Sequence, residues 1–277
     1  MKIYFKNLLI IIILVVVTLS LFFLAGFAGV AGTVKNPQFY KTTALKAEVS
    51  SGYITEVYEK TQQDIIFKGT LSGLDKSVFE NLLTPDLTKT LIFERIDNIL
   101  YGNEMSTLET IKEEIRQKAE EQFPDVDEKS LDEFIDFIGG VVESDVEINF
   151  FSEVYPTIDS VLSIFSLYVL SILPVVIIGL FIALWFLINE SKKNKLKWMS
   201  YPIAASGLMF VFISILTFLL NDAAVFNFST QDLRMYLSSA KIYFAQLFLI
   251  IGFCLLFIVL AGYIALILYK KLKGRKT

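Results

Sequence analysis

Apolar residues fall into two regimes along this chain. In four stretches they run almost unbroken, and elsewhere they recur at helical spacing. The unbroken stretches cover residues 8–30, 161–188, 201–220 and 243–269, and none contains a charged side chain. A bilayer core about 30 Å thick needs roughly 20 apolar residues in α-helix, so each stretch is expected to cross a membrane. The second and fourth exceed the minimum and are expected to tilt or to project beyond the hydrocarbon. Pro174 sits in mid-span, where it predicts a kink. Pro202 reads as the start of the third span, where a missing N–H costs little.

The first stretch is preceded by Lys2 and Lys6 and ends in the small residues Ala25, Gly26, Ala28, Gly29, Ala31 and Gly32. Those features also suit a secretory signal with cleavage after Ala28 or Ala31. The apolar run exceeds the 7–15 residues of such signals, which favours a retained anchor.

Between the first two spans the pattern changes to amphipathic helix. Residues 33–40, with Asn36-Pro37, read as a linker, and 43–63 as a first helix. Thr84-Pro85-Asp86 combines an N-cap, a first-turn proline and an acid at the positive end of the dipole. Leu87, Leu91, Ile92, Ile96 and Ile99 then form one stripe up to Gly102. Ser106 with Glu109 reads as a capping box that opens a stripe of Leu108, Ile111, Ile115, Ala119 and Phe123, stopped by Pro124. Ser130 with Glu133 repeats the box ahead of Leu131, Phe134, Ile135 and Ile138, with Gly139-Gly140 as the stop. Residues 65–71 and 145–151 are open to two readings. The alternation of Val146, Ile148 and Phe150 allows a strand paired with 65–71, and the alternative is helix leading into the second span. Beyond the third span, Ser229 and Asp232 open a stripe of Leu233, Tyr236, Leu237 and Ala240, read as an interfacial helical turn entering the fourth span.

The expected fold class is therefore an all-α integral membrane protein. It has four transmembrane helices and a mainly α-helical extracytoplasmic domain, residues 31–160, inserted between spans 1 and 2. The remaining segments are 1–7, the loop 189–200, the short loop 221–242 and the tail 270–277.

Charge sets the orientation. Segments 1–7, 189–200 and 270–277 together hold 11 basic residues and one acidic residue. Segment 31–160 holds 12 basic and 26 acidic residues, a net of −14, while the whole chain carries only −4. Short flanks rich in Lys and Arg stay inside, so both termini and 189–200 are expected to be cytoplasmic and 31–160 outside. Tyr4, Trp185, Trp198, Tyr201 and Tyr269 then share the cytoplasmic interface, where amphipathic rings settle. Lys192, Lys193, Lys195 and Lys197 in the loop, with Lys270, Lys271, Lys273, Arg275 and Lys276 in the tail, read as cytoplasmic lipid-facing cations.

Composition removes several chemistries. The chain has 277 residues, no His and one Cys, Cys254. Triads built on His, His-bound zinc, an intrachain disulfide and Cys-x-x-Cys pairs are excluded. Asp125, Val126, Asp127 and Glu128 resemble the opening of a calcium loop, but Lys129, Ser130 and Asp136 stand where an oxygen ligand, a glycine and a glutamate belong. They read as a turn with solvated acids. Asn227-Phe228-Ser229 fits a glycosylation acceptor, which has meaning only in a eukaryotic secretory route. No catalytic residue, cofactor or metal set is expected. The acidic 31–160 segment disfavours nucleic acid as a partner.

Charge-free spans also lack the ionisable groups that mark ion or proton paths. Their small and mildly polar residues are expected to pack helices together: Gly26, Gly29 and Gly32 in the first span, Ser163 and Ser166 in the second, Ser206 in the third, and Gln246, Gly252 and Gly262 in the fourth. Cys254 reads as a buried small apolar residue. The order of segments is similar in topology to the FtsX/MacB class of ABC-associated membrane proteins, without a shared motif. That resemblance implies work alongside a cytoplasmic ATPase, but 189–200 reads as a Lys-rich loop with no amphipathic coupling helix. The sequence favours a non-enzymatic protein of a bacterial plasma membrane. Its partners are expected to be the lipid bilayer and either another envelope protein or a second copy of itself. A transport or mechanotransmission subunit is the alternative, followed by a membrane-anchored enzyme without His.

Overall fold

The fold is a computed structural model that describes residues 2–122, 124, 127–147, 151–220 and 230–273. The described residues form helices, with no strand among them. In chain order they are α1 (Lys2–Val34), α2 (Pro37–Ser51), α3 (Tyr53–Thr70), a short 3-10 turn (Lys76–Val78), α4 (Pro85–Tyr101), α5 (Ser106–Gln122), α6 (Glu128–Val146), α7 (Phe151–Leu187), α8 (Lys192–Leu219) and α9 (Gln231–Lys273). Four of them, α1, α7, α8 and α9, are long and apolar enough to cross a membrane. The chain divides into two compact units, one of residues 1–35, 160–221 and 241–277, the other of 36–159 and 222–240.

In the helical unit, α3 packs against α2, α4 and α6, and α5 packs against α4 and α6. The stripes of α5 and α6 are buried at Leu108, Ile111, Ile115, Ala119, Leu131, Ile135 and Ile138. Phe123 lies outside the described residues. Helix α4 has the expected ends: Thr84 accepts from the Leu87 N–H (3.2 Å), Pro85 is at the first position, and Gly102 closes the helix at φ 71°.

Several local readings change. Residues 33–40 are not a linker, because the Asn36 side chain caps α2 by accepting from the Gln38 N–H and Pro37 takes the first helical position. The same Asn-Pro pair that marks turns also begins helices. The single helix expected over 43–63 is two, broken at Gly52, whose φ of 76° belongs to the left-handed region. The Glu48 carboxylate reaches across the break and accepts from the Ile54 and Thr55 N–H groups. Residues 65–70 continue α3 and 145–146 end α6, so the suggested pairing of strands does not form; 148–150 lie outside the described residues. Both capping boxes are displaced. Asp127 caps α6 by accepting from the Ser130 N–H and hydroxyl (3.0 and 2.9 Å). Glu94 of α4 caps α5 by accepting from the Thr107 N–H (3.0 Å) and the Ser106 hydroxyl (2.9 Å).

In the membrane unit, Lys192 to Ser200 are helix rather than loop, so Pro202 lies inside α8 rather than at its start. Pro174 lies inside α7, which runs unbroken from Phe151 to Leu187. One apolar core joins Val17 of α1 to Leu184 and Ile188, with Leu14, Leu21, Phe181 and Trp198 against it. Long runs of apolar side chains remain exposed, including Phe23, Leu167, Ile178, Phe212 and Phe257. That surface suits hydrocarbon rather than water.

Candidate functional site

The residues expected to pack the spans separate into two groups. Where helices meet, small residues do the work. A Cβ on Gly252 would lie 2.8 Å from the Gly207 carbonyl oxygen, and a Cβ on Gly207 would lie 3.0 Å from the Gly252 carbonyl oxygen. Helices α8 and α9 therefore cross backbone to backbone. A Cβ on Gly26 would stand 3.3 Å from the Phe210 ring, and one on Gly29 would stand 2.7 Å from Ile251 Cδ1. The Ser206 hydroxyl lies 2.8 Å from both the Thr18 carbonyl of α1 and its own Pro202 carbonyl, so its one proton serves either. The Ser214 hydroxyl donates to the Ala245 carbonyl of α9 (2.7 Å). Ser163 accepts from the Lys35 ammonium (2.9 Å), and Ser166 donates within α7 to the Ser163 carbonyl.

Two of the expected glycines are not at a close contact. Nothing lies within 4 Å of a Cβ placed on Gly32 or Gly262. Gln246 is exposed, and the neighbouring Ala245 carbonyl accepts from Ser214 of α8. Cys254, expected to be buried, is exposed on α9. Gly207 lies outside the expected packing set. The small run Ala204-Ala205-Ser206-Gly207 is the signal that points to Gly207.

The basic flanks also divide. Lys195 is not simply lipid-facing: its ammonium donates to the Trp185 carbonyl in the last turn of α7 (2.7 Å) and lies 5.3 Å from the Trp185 ring centroid. It thus satisfies a carbonyl that the helix end leaves open. Lys192, Lys193 and Lys197 sit in the first turns of α8, which hold no acid. Cations there oppose the helix dipole, an arrangement that anionic surroundings offset. Lys270, Lys271 and Lys273 fall at the end of α9. Arg275 and Lys276 lie outside the described residues, as do Asn227, Phe228 and Ser229.

The helical unit gathers its polar groups around the last turns of α6. Arg95 of α4 donates to Glu143, to Glu147 (2.7 Å) and to Asn98 (2.8 Å). Asp145, between the two glutamates, pairs with Lys60 of α3 at 3.5 Å. Carboxylates at a helix C-terminus oppose its dipole, and the cations from α3 and α4 compensate them. Arg95 Nε and Asp145 Oδ2 are buried with no hydrogen-bond partner among the described residues. Burial pushes the Asp145 carboxyl above its ordinary range; Lys60 and Lys68 draw it back, while Asp64 pushes it further. Lys41 of α2 pairs with Asp97 of α4 at 2.6 Å.

A second cluster in this unit is aromatic. Tyr40, Tyr53 and Tyr236 are all buried. The Tyr236 ring of α9 lies 5.7 Å from that of Tyr53, and its hydroxyl lies 3.4 Å from the Tyr40 carbonyl. Tyr155 of α7 meets the Tyr40 ring edge-on at 6.5 Å. Burial raises the Tyr53 phenol, helped by Asp232, and raises the Tyr40 phenol, helped by Tyr155. These phenols stay neutral at physiological pH and serve as packing and hydrogen-bonding groups. Sequence reading placed Tyr236 on an apolar stripe without finding its partners, because those come from α2 and α3, far away in the chain.

Among the described residues, no three His, Cys, Asp or Glu side chains converge as a metal site would require. The constellation holds helices in place and compensates charge. No protein family, curated protein or solved structure matches this chain.

Proposed function

We propose that this chain is a non-enzymatic multi-pass protein of the plasma membrane. It displays an acidic helical domain outside the cell for protein interaction or sensing, and both termini are cytoplasmic. The observation that carries the proposal is the charge partition, with residues 31–160 at a net of −14 and four apolar stretches free of charged side chains. Residues 151–159 of α7 and 231–240 of α9 are grouped with residues 36–150, while the rest of both helices belongs to the membrane unit. Tyr155 and Tyr236 are packed into the tyrosine cluster. The concentration of 11 basic residues on the three short segments supports the orientation.

The test is affinity capture of the full chain from native membranes, with partners identified by mass spectrometry. Capture of an exported or envelope protein, lost when exposed acids of α5 such as Glu113 and Glu114 are reversed to Lys, supports the proposal. Recovery of a stoichiometric cytoplasmic ATPase, unaffected by those reversals, would replace it with the mechanotransmission reading.

A further inference from the structure

Helices α8 and α9 run in opposite directions from their crossing at Gly207 and Gly252. Ten residues before Gly207 stands Lys197, and ten residues after Gly252 stands Gly262. At 1.5 Å per residue, both lie about 15 Å from the crossing, towards the end of the bundle that carries Lys192 and Lys270. There the helices part. A Cβ on Gly262 would meet nothing within 4 Å, and a groove of about 420 Å³ opens between the two helices. Small-molecule sites commonly have volumes of roughly 300–1,000 Å³. Apolar side chains such as Met199, Ile203, Ile258 and Val259 line it, and Lys197 and Ser200 are the polar exceptions. The Ser200 hydroxyl is committed to the Lys197 carbonyl (2.7 Å). The Lys197 ammonium makes no ion pair among the described residues.

We propose that this groove holds one acyl chain of an anionic phospholipid whose phosphate is bound by Lys197. Both helices are apolar enough to span a membrane, so the groove opens on hydrocarbon. The walls match an acyl chain, and the cation stands at the end where a headgroup would lie. Lys192 and Lys193, in the first turn of α8, add positive charge at this end and so favour a negative headgroup. Gly262 then has a role other than close packing, because its missing side chain leaves the floor of the groove open. A zwitterionic lipid would fill the same space but bring its own positive charge towards Lys197. A helix of a second copy would need a far longer apolar trough.

The experiment uses the full chain in detergent micelles, titrated separately with phosphatidylglycerol and phosphatidylcholine, with retained lipid counted by native mass spectrometry. The wild-type protein is expected to retain phosphatidylglycerol preferentially. Lys197→Gln is expected to lower that preference by about fivefold, the scale of one lysine near an anionic surface. Gly262→Phe fills the groove and is expected to abolish the retained adduct while unfolding at the wild-type temperature. Gly262→Leu serves as a smaller plug should the phenylalanine variant misfold. Equal retention of the two lipids by the wild-type protein would overturn the proposal. So would wild-type retention by a folded plug variant, or a change of oligomeric state on plugging, which would identify the occupant as a second copy.

Discussion

Replacing Gly252 by alanine puts a methyl group where α8 and α9 cross. The new carbon would stand 2.8 Å from the Gly207 carbonyl oxygen, 2.9 Å from Val211 Cγ2 and 3.1 Å from the Val211 nitrogen. Two of those atoms are backbone and the third belongs to a β-branched side chain, so no rotamer change relieves the contact. The helices must move apart. Forcing an extra carbon into a close-packed site costs about 1–3 kcal/mol. Alanine's better helix propensity returns about 0.5–1 kcal/mol, leaving a net loss of up to roughly 2.5 kcal/mol, with the backbone contact placing it in the upper part of that range. Separation also stretches the 2.7 Å bond from Ser214 to the Ala245 carbonyl, seven residues away on each helix. Gly262 supplies the control in the same helix. With nothing within 4 Å, Gly262→Ala keeps only the propensity gain. Thermal unfolding of the purified protein in micelles, followed by tryptophan fluorescence, reads both. Gly252→Ala should unfold several degrees below wild type, at about 2–4 °C per kcal/mol for chains of this size. Gly262→Ala should unfold at or slightly above wild type. Equal unfolding temperatures for the two variants would refute the crossing.

Three further outcomes follow from the helical unit. Arg95→Leu removes the guanidinium from the Glu147 and Glu143 carboxylates; the expected loss is about 1–3 kcal/mol in denaturant titration, and Arg95→Lys recovers only part of it. Tyr236→Phe loses the hydroxyl's contacts with the Tyr40 carbonyl and the Thr43 side chain and should cost about 1–2 kcal/mol, whereas Tyr236→Ala empties the aromatic cluster and should cost about 3–5 kcal/mol by the same titration. The buried Asp145 carboxyl is held above its ordinary range, so the folded protein binds more protons than the unfolded chain between the ordinary and the raised value. Its contribution to stability is present at acid pH and is lost as pH rises through that window. The unfolding temperature of Asp145→Asn, measured against wild type, should therefore improve steadily from pH 4 to pH 7; a constant difference would contradict the raised value.

The positions of the spans and the stripes of α4, α5 and α6 were legible because each depends on local repetition. Charge-free runs and three-four spacing need no knowledge of partners. Some misread features depend on groups from other helices, and others, such as the Asn36-Pro37 start of α2 and the Asp127 cap of α6, are local signals with more than one reading. Ser106 and Ser130 looked like caps, but Glu94 supplies the cap for α5 from another helix and Asp127 caps α6 from three residues earlier. Gly252 and Gly262 carry the same signal in sequence, a glycine in an apolar helix. Only the facing helix distinguishes the crossing from the open groove. Lys195 and Lys197 likewise sit two residues apart in one basic cluster. Rotation around α8 sends the first to the end of α7 and the second to the groove between α8 and α9. Arg95 carried no sequence signal as a hub, since its glutamates lie 48 and 52 residues away.

The central claim, an exported helical domain on a four-span anchor with both ends inside, is tested most directly by side-specific cysteine labelling. In a Cys254→Ser background, Glu113→Cys on α5 and Lys192→Cys at the start of α8 are treated in intact cells with a membrane-impermeant maleimide. Glu113→Cys is expected to be labelled at once and Lys192→Cys only after lysis. Labelling of Lys192→Cys in intact cells, with Glu113→Cys protected until lysis, would contradict it.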